Sequence, residues 1–145
     1  MLGKTYPDQD CSAARALEIV GERWTLLILR DAIFRNYVRY SQFSESLGVA
    51  SNILAKRLEG LVAAGLMESR PAKHRRDKHE YHLTPQGRDM KAVVVALTEW
   101  GDKWLGPGPV AFHDSGNGRK VSLRFMADDV TREVPPDIVV AQRRT

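Results

Sequence analysis

Residues 41–64 constrain this chain more than any other stretch. A short helix-forming segment from Ser41 to Leu47 carries Phe43 and Leu47 one turn apart and runs into Gly48-Val49-Ala50. A longer helix-forming segment follows, from Ser51 to Ala64. A glycine just past a helix end supplies the left-handed residue that closes it, and Ser51 has the side chain of an N-cap. Leu54, Leu58, Leu61 and Val62 keep one face of the second helix apolar. Two helices joined by a tight glycine turn are the plan of a helix–turn–helix.

The flanking segments complete a domain around that pair. Ser12 to Val20 reads as a helix with Ala13, Ala16, Leu17 and Val20 on one stripe, and Gly21 interrupts it. A helix from Glu22 to Phe34 is nearly apolar all round at its centre, which marks it as the buried helix of the domain. Arg35 to Arg39 connects it to the helix–turn–helix. After Gly65, Leu66 to Arg70 is strand-like, Pro71 to Lys78 is charged and breaks the pattern, and Glu80 to Leu83 reads as the returning strand of a hairpin. Thr84-Pro85 starts a further helix, with Thr as N-cap and Pro at the first helical position. That helix runs to Leu105, with Met90, Val93, Val94, Leu97, Trp100 and Trp104 at three- and four-residue steps.

Gly106-Pro107-Gly108-Pro109 is a break. Beyond it Asn117-Gly118 signals a tight hairpin, Val121, Leu123 and Phe125 alternate with polar neighbours, and Ile138 to Ala141 suggests another short strand. The expected fold class is therefore mainly α with a β-hairpin wing, an α+β winged helix–turn–helix, with a small C-terminal β appendage. Residues 1–105 form one domain in this reading, to which the clusters and the resemblance described below assign DNA binding and dimerisation, and residues 106–145 the appendage.

Charge and cysteine usage narrow the function. The chain has 22 Lys and Arg against 18 Asp and Glu, a net charge of +4 that favours an anionic partner. One cysteine, Cys11, rules out an intrachain disulfide and a multi-cysteine zinc site. The four histidines (His74, His79, His82, His113) have no metal-ligand spacing. No apolar run approaches the ~20 residues of a membrane span, and the first residues lack the apolar stretch of a signal peptide. A cytoplasmic location without membrane contact is expected. There is no Gly-rich phosphate loop, no HExxH and no GxSxG, so neither an enzyme nor a cofactor is expected.

Two clusters point to duplex DNA. Opposite the leucine stripe of the second helix lie Ser51, Asn52, Ala55, Lys56 and Glu59, with Arg57 near the boundary. Ser and Asn hydrogen-bond base edges, while Lys56 and Arg57 reach guanine or phosphate. A major groove about 12 Å wide admits one such helix. The hairpin then brings Lys73, His74, Arg75, Arg76, Lys78 and His79 into one short loop, diluted only by Asp77. Placed after a helix–turn–helix, that density of cations fits phosphate contact, with Arg35 and Arg39 flanking the same surface. Arg70 is instead suited to a salt bridge.

The ordered set of short matches resembles the HxlR family of bacterial winged-helix regulators. It comprises Cys11, Gly21-Glu22-Arg23-Trp24, Leu27 to Leu29, Arg39-Tyr40 with Phe43, and Leu47-Gly48-Val49. It continues through Asn52 to Leu58, Gly65-Leu66, Glu80 to Thr84, Gly87 and Trp100-Gly101. The resemblance implies a dimer held by the first and last helices on a palindromic operator. It departs from the family in Arg39-Tyr40, where an Arg-Phe pair is usual, and in the wing, where a proline usually stands near Asp77. The tail after Gly106 is scarcely covered.

Cys11 precedes a helix start, with Arg15 one turn on and Asp8 and Asp10 just before it. Some regulators resembling this family sense electrophiles or oxidants through a cysteine here; the other reading is a small residue packed at the dimer contact. Leu17, Val94, Leu97, Trp100 and Trp104 are the residues expected at that contact. The expected function is a DNA-binding regulator, a repressor, acting as a homodimer on an inverted repeat, with a small-molecule effector or a thiol-reactive species as its input. The alternative is a winged-helix protein–protein adaptor, which a bare apolar recognition helix would favour.

Overall fold

A computed structural model of the chain describes residues 5–144, and of residues 75–77 the backbone alone. The chain divides into two compact units, residues 1–94 and 95–145. The division falls inside the last long helix rather than at the Gly106–Pro109 break.

The first unit holds α1 (Ser12–Val20), α2 (Thr25–Phe34), α3 (Tyr40–Leu47), α4 (Ser51–Ala63), β1 (Met67–Ala72), β2 (Arg75–Leu83), α5 (Pro85–Arg88) and the start of α6 (Lys91–Leu105). Its core is one cluster. Ile28 and Leu29 of α2, Phe43 of α3, and Leu54 and Leu58 of α4 are wholly removed from water, and Leu61, Leu66 and Met67 nearly so. Burying a side chain of this size contributes about 1.5–3 kcal/mol, so the leucine stripe of α4 fixes which of its faces is left outward.

Three boundaries differ from the sequence expectation. The apolar helix begins at Thr25, not Glu22, because residues 21–24 form a turn that ends with Trp24 at φ +83°. That turn needs Gly21, since a Cβ there would lie 2.4 Å from the Leu17 carbonyl oxygen. The N-cap of α4 is Ala50, with Ser51 as its first helical residue. The helix after Thr84 is also interrupted. Thr84 Oγ1 accepts from Gly87 N–H as a cap should. However, Met90 N–H bonds to the carbonyl of Gly87, an i→i−3 tightening that ends α5 before α6 begins.

β1 and β2 pair antiparallel, with Met67 opposite Leu83, Arg70 opposite Glu80 and a bulge between Pro71 and Ala72. Both strands run further into the charged segment than expected. Pro71 is tolerated because it lies in a two-stranded sheet, where its missing N–H breaks no central ladder. Tyr81 N–H also bonds to the Val38 carbonyl at 2.7 Å, and Arg39 bridges Glu80, so the α2–α3 connection lies along the wing.

The second unit holds the rest of α6 and the tail. The Asn117-Gly118 turn forms: His113 bridges Lys120, and Val121 N–H bonds to Phe112 O. The alternation from Val121 to Phe125 yields a regular ladder only at its end, where β3 (Phe125–Met126) pairs with β4 (Glu133–Val134). Ile138 to Ala141 is not a strand. Pro135 and Pro136 fix the backbone for a 3₁₀ turn over Pro136–Ile138 instead.

Candidate nucleic-acid interface

The helix–turn–helix is closed as its sequence demands. Gly48 ends α3 at φ +60°, its N–H bonded to Ser44 O, and α4 starts three residues later. A glycine adopts that left-handed conformation without the steric cost any other L-residue meets. The Tyr40 hydroxyl donates to Ser51 O at 2.8 Å and ties the first turn of α3 to the first turn of α4. At the other end of α3, Ser46 Oγ donates to Asp31 Oδ2 at 2.6 Å. Asp31 is fully buried, and its other carboxylate oxygen meets Arg30 at 2.9 Å and Arg35 at 3.7 Å. A buried carboxylate with this many donors locks α2 to α3 in one orientation. It stands out in the sequence as the lone acid of TLLILRDAIF, a signal the apolar pattern obscures.

With the leucines inward, Ser51, Asn52, Lys56 and Glu59 are exposed and Ala55 is half-exposed. Ser51 with Ala55, and Asn52 with Lys56, are one turn apart and so share the outer face. Lys56 also borders a crevice of about 370 Å³ between α4 and the α1–α2 turn, beside Glu18 and Glu22.

Arg57 is placed differently. Its guanidinium pairs with the Glu22 carboxylate and donates from Nε to the Arg23 carbonyl at 3.2 Å. It anchors α4 to the turn before α2 rather than joining the outer face. The Gly21-Glu22-Arg23-Trp24 segment thus gains a physical reason. The glycine permits the turn, the glutamate and the Arg23 carbonyl hold Arg57, and Arg23 stacks over the Trp24 ring at 5.2 Å.

The wing presents Lys73, His74, Lys78 and His79 as exposed side chains. Those of Arg75 and Arg76 lie outside the described residues. Arg39 is exposed on the connection that bridges the wing. Arg35 is engaged, donating to Ser46 Oγ at 3.0 Å and lying over Tyr37. Arg70 forms an ion pair with Glu68 at 2.9 Å. On β2, burial first, and then the charge of Glu59 and the neighbouring Tyr40, push the Tyr81 phenol above its ordinary value.

Among the residues expected at a dimer contact, Leu17, Leu97, Trp100 and Trp104 are exposed. Val94 is not: at 4% exposure it is packed inside its own chain, because it points inward where the others point out. Cys11 is exposed and serves as the N-cap of α1, its Sγ accepting from Ala14 N–H at 3.3 Å. Arg15 donates to Ser12 Oγ. Among the described residues no three His, Cys, Asp or Glu side chains gather as a metal site requires. No described helix is long and apolar enough to cross a membrane.

Comparison with known proteins agrees with this geometry. The family model for the HxlR-like helix-turn-helix matches residues 19–109. An uncharacterised HTH-type transcriptional regulator of Mycobacterium tuberculosis is 48% identical over 94 residues, 65% of this chain and 59% of that protein. The match therefore spans less than two thirds of that relative's length. A solved structure of a candidate transcription factor superposes with a TM-score of 0.82 at 33% identity, covering 94% of this chain and 97% of the other. Its likeness extends through most of the tail, beyond the residues of the family model. A second, from Pseudomonas aeruginosa, gives 0.66 at 36% identity and 92% coverage of both chains. A winged helix–turn–helix matched by the family's model over most of its length leaves one assignment: the chain belongs to the HxlR-like helix-turn-helix family of transcriptional regulators.

Proposed function

We propose that this chain is a sequence-specific DNA-binding repressor that acts as a homodimer on an inverted-repeat operator. The observation that carries the reading is the outer face of α4, where Ser51, Asn52 and Lys56 stand clear of a fully buried leucine stripe. Side chains of this kind read base edges from the major groove. Lys73, Lys78 and Arg39 add cations for the flanking phosphates, with Arg75 and Arg76 assigned to the same role by their place in the sequence. Arg57 leaves the set, since its pairing with Glu22 gives it a supporting part. Cys11, exposed at the start of α1, is the position for a thiol-reactive input.

The test is selection of duplexes from a random pool by the full chain, followed by binding measurements across a salt series. The expected result is an enriched inverted repeat, bound with a logarithmic salt slope set by the phosphates it neutralises. A chain that enriches no sequence and binds duplex no more tightly at low salt would be an adaptor, not a DNA reader.

A further inference from the structure

The first unit contains a second cavity that the DNA-binding face does not use. It has a volume of about 490 Å³ and lies between the end of α2, the base of the wing and the start of α6. That size falls in the range of small-molecule sites, about 300–1,000 Å³. Ala32, Ile33, Val38 and Leu83 give it an apolar floor, and Arg70, Arg88 and Lys91 line it with three cations. No Asp or Glu is among the described residues that line it.

The state of those cations matters. Arg70 is held by Glu68, but both side chains are more than half exposed, and such a surface pair is weak and readily exchanged. Arg88 donates from one nitrogen to the Leu83 carbonyl at 2.9 Å, and Lys91 lies over the Phe34 ring at 5.7 Å. Neither has a carboxylate partner among the described residues. His82, also on the lining, has Glu80 at 3.6 Å.

We propose that this cavity binds a small apolar carboxylate. Its acid group would meet the guanidinium and ammonium groups of Arg88, Lys91 and Arg70, and its hydrocarbon part would cover the floor. A guanidinium fork matches a carboxylate in geometry and charge. Inorganic phosphate satisfies the cations but leaves the apolar lining wet. A neutral apolar ligand covers the floor but strips water from the cations without replacing it. The base of the wing forms one wall, so occupancy is placed to alter how the wing meets DNA. That last consequence rests on the DNA-binding reading; the binding itself does not.

Calorimetric titration of the full chain with benzoate, phenylacetate and hexanoate tests the site, with benzamide and inorganic phosphate as comparators. At least one carboxylate is expected to saturate one site per chain, with benzamide weaker by about tenfold or more. Arg88→Gln with Lys91→Gln should weaken that carboxylate by about tenfold or more while the melting curve stays that of the parent. No saturable binding by any of the three acids overturns the proposal, and so does a folded double variant that binds as the parent does. Phosphate binding tighter than every acid overturns it as well, assigning the cations to the nucleic-acid backbone. Carboxylate binding in a chain that binds no duplex upholds the site and removes the DNA-binding reading instead.

Discussion

The guanidinium of Arg57, on α4, closes on the carboxylate of Glu22, in the turn before α2. α4 is thereby pinned to the N-terminal elements at its midpoint, on the flank away from its outer face. If this is the role of Arg57, Arg57→Ala should lower stability by about 1 kcal/mol, the scale of one charge-assisted hydrogen bond in partly solvated surroundings. It should weaken operator binding with an unchanged salt slope, since the same phosphates remain neutralised. A slope reduced by about one would make Arg57 a phosphate ligand after all.

The two faces of α4 should separate cleanly under mutation. Asn52→Ala is expected to relax preference at one or two operator positions, at a cost of about 1–3 kcal/mol there, with melting unchanged. Leu58→Ala removes a wholly buried side chain and should lower stability by about 2–5 kcal/mol. Sequencing the selected duplexes and recording thermal melts decide the matter. A Leu58→Ala protein with parental melting but no DNA binding would reverse the orientation of the helix.

Much of this arrangement is legible in the sequence, for identifiable reasons. The stripe of Leu54, Leu58 and Leu61 sets the outward face of α4, and Gly48 places the turn, because periodicity and left-handed geometry are local properties. What escapes is what depends on distant partners. Glu22 and Arg57 are 35 positions apart, and no local pattern marks one as the other's counterion. Val94 shares the helical spacing of Leu97 and Trp100 closely enough that only the packed structure shows it turned inward. The break between α5 and α6 turns on a single hydrogen-bond register at Met90. In the tail, Val121 to Phe125 alternates like a strand but lacks a partner of equal length, so propensity without pairing leaves mostly irregular chain.

Removing the wing cations Lys73 and Lys78 together should weaken binding to all duplexes alike. Phosphates carry no sequence information, so the preferred operator should not change. The salt slope is expected to fall by about one for each phosphate that is no longer neutralised. A double alanine variant that binds as tightly as the parent at moderate salt would detach the wing from the interface.

Tyr81 gives the interface a spectroscopic handle. Its phenol is raised above 10.0, first by burial and then by the charge of Glu59. As pH rises past 10.0 the unfolded chain loses this proton before the folded chain does. The contribution is therefore full below pH 10.0 and declines as pH climbs toward the higher folded value. Subtracting the ultraviolet titration of Tyr81→Phe from that of the parent isolates its phenolate band. Glu59→Gln should bring the midpoint part of the way down and no further, because burial remains. An unmoved midpoint would separate α4 from β2 at that point.

The last prediction concerns α6. Leu97, Trp100 and Trp104 stand at i, i+3 and i+7, hence on one face, and are 52%, 57% and 64% exposed in the single chain. Indoles left so far in water are costly, and each Trp can bury about 150–250 Å². A stable interface removes about 800 Å² per partner, so two tryptophans and a leucine from each chain supply much of what a dimer needs. Two-fold symmetry would pair this face with itself, and a two-fold dimer of this kind reads half-sites about 34–36 Å apart, one turn of DNA. The chain should therefore be dimeric at micromolar concentration, and Leu97→Glu with Trp100→Glu should make it monomeric and folded. The variant should lose affinity for the inverted repeat but keep weak binding to a half-site. Light scattering gives the molar mass and a melt checks the fold. A parent that is monomeric yet protects an inverted repeat from nuclease would sink this arrangement, and a charged variant that stays dimeric would move the interface off α6.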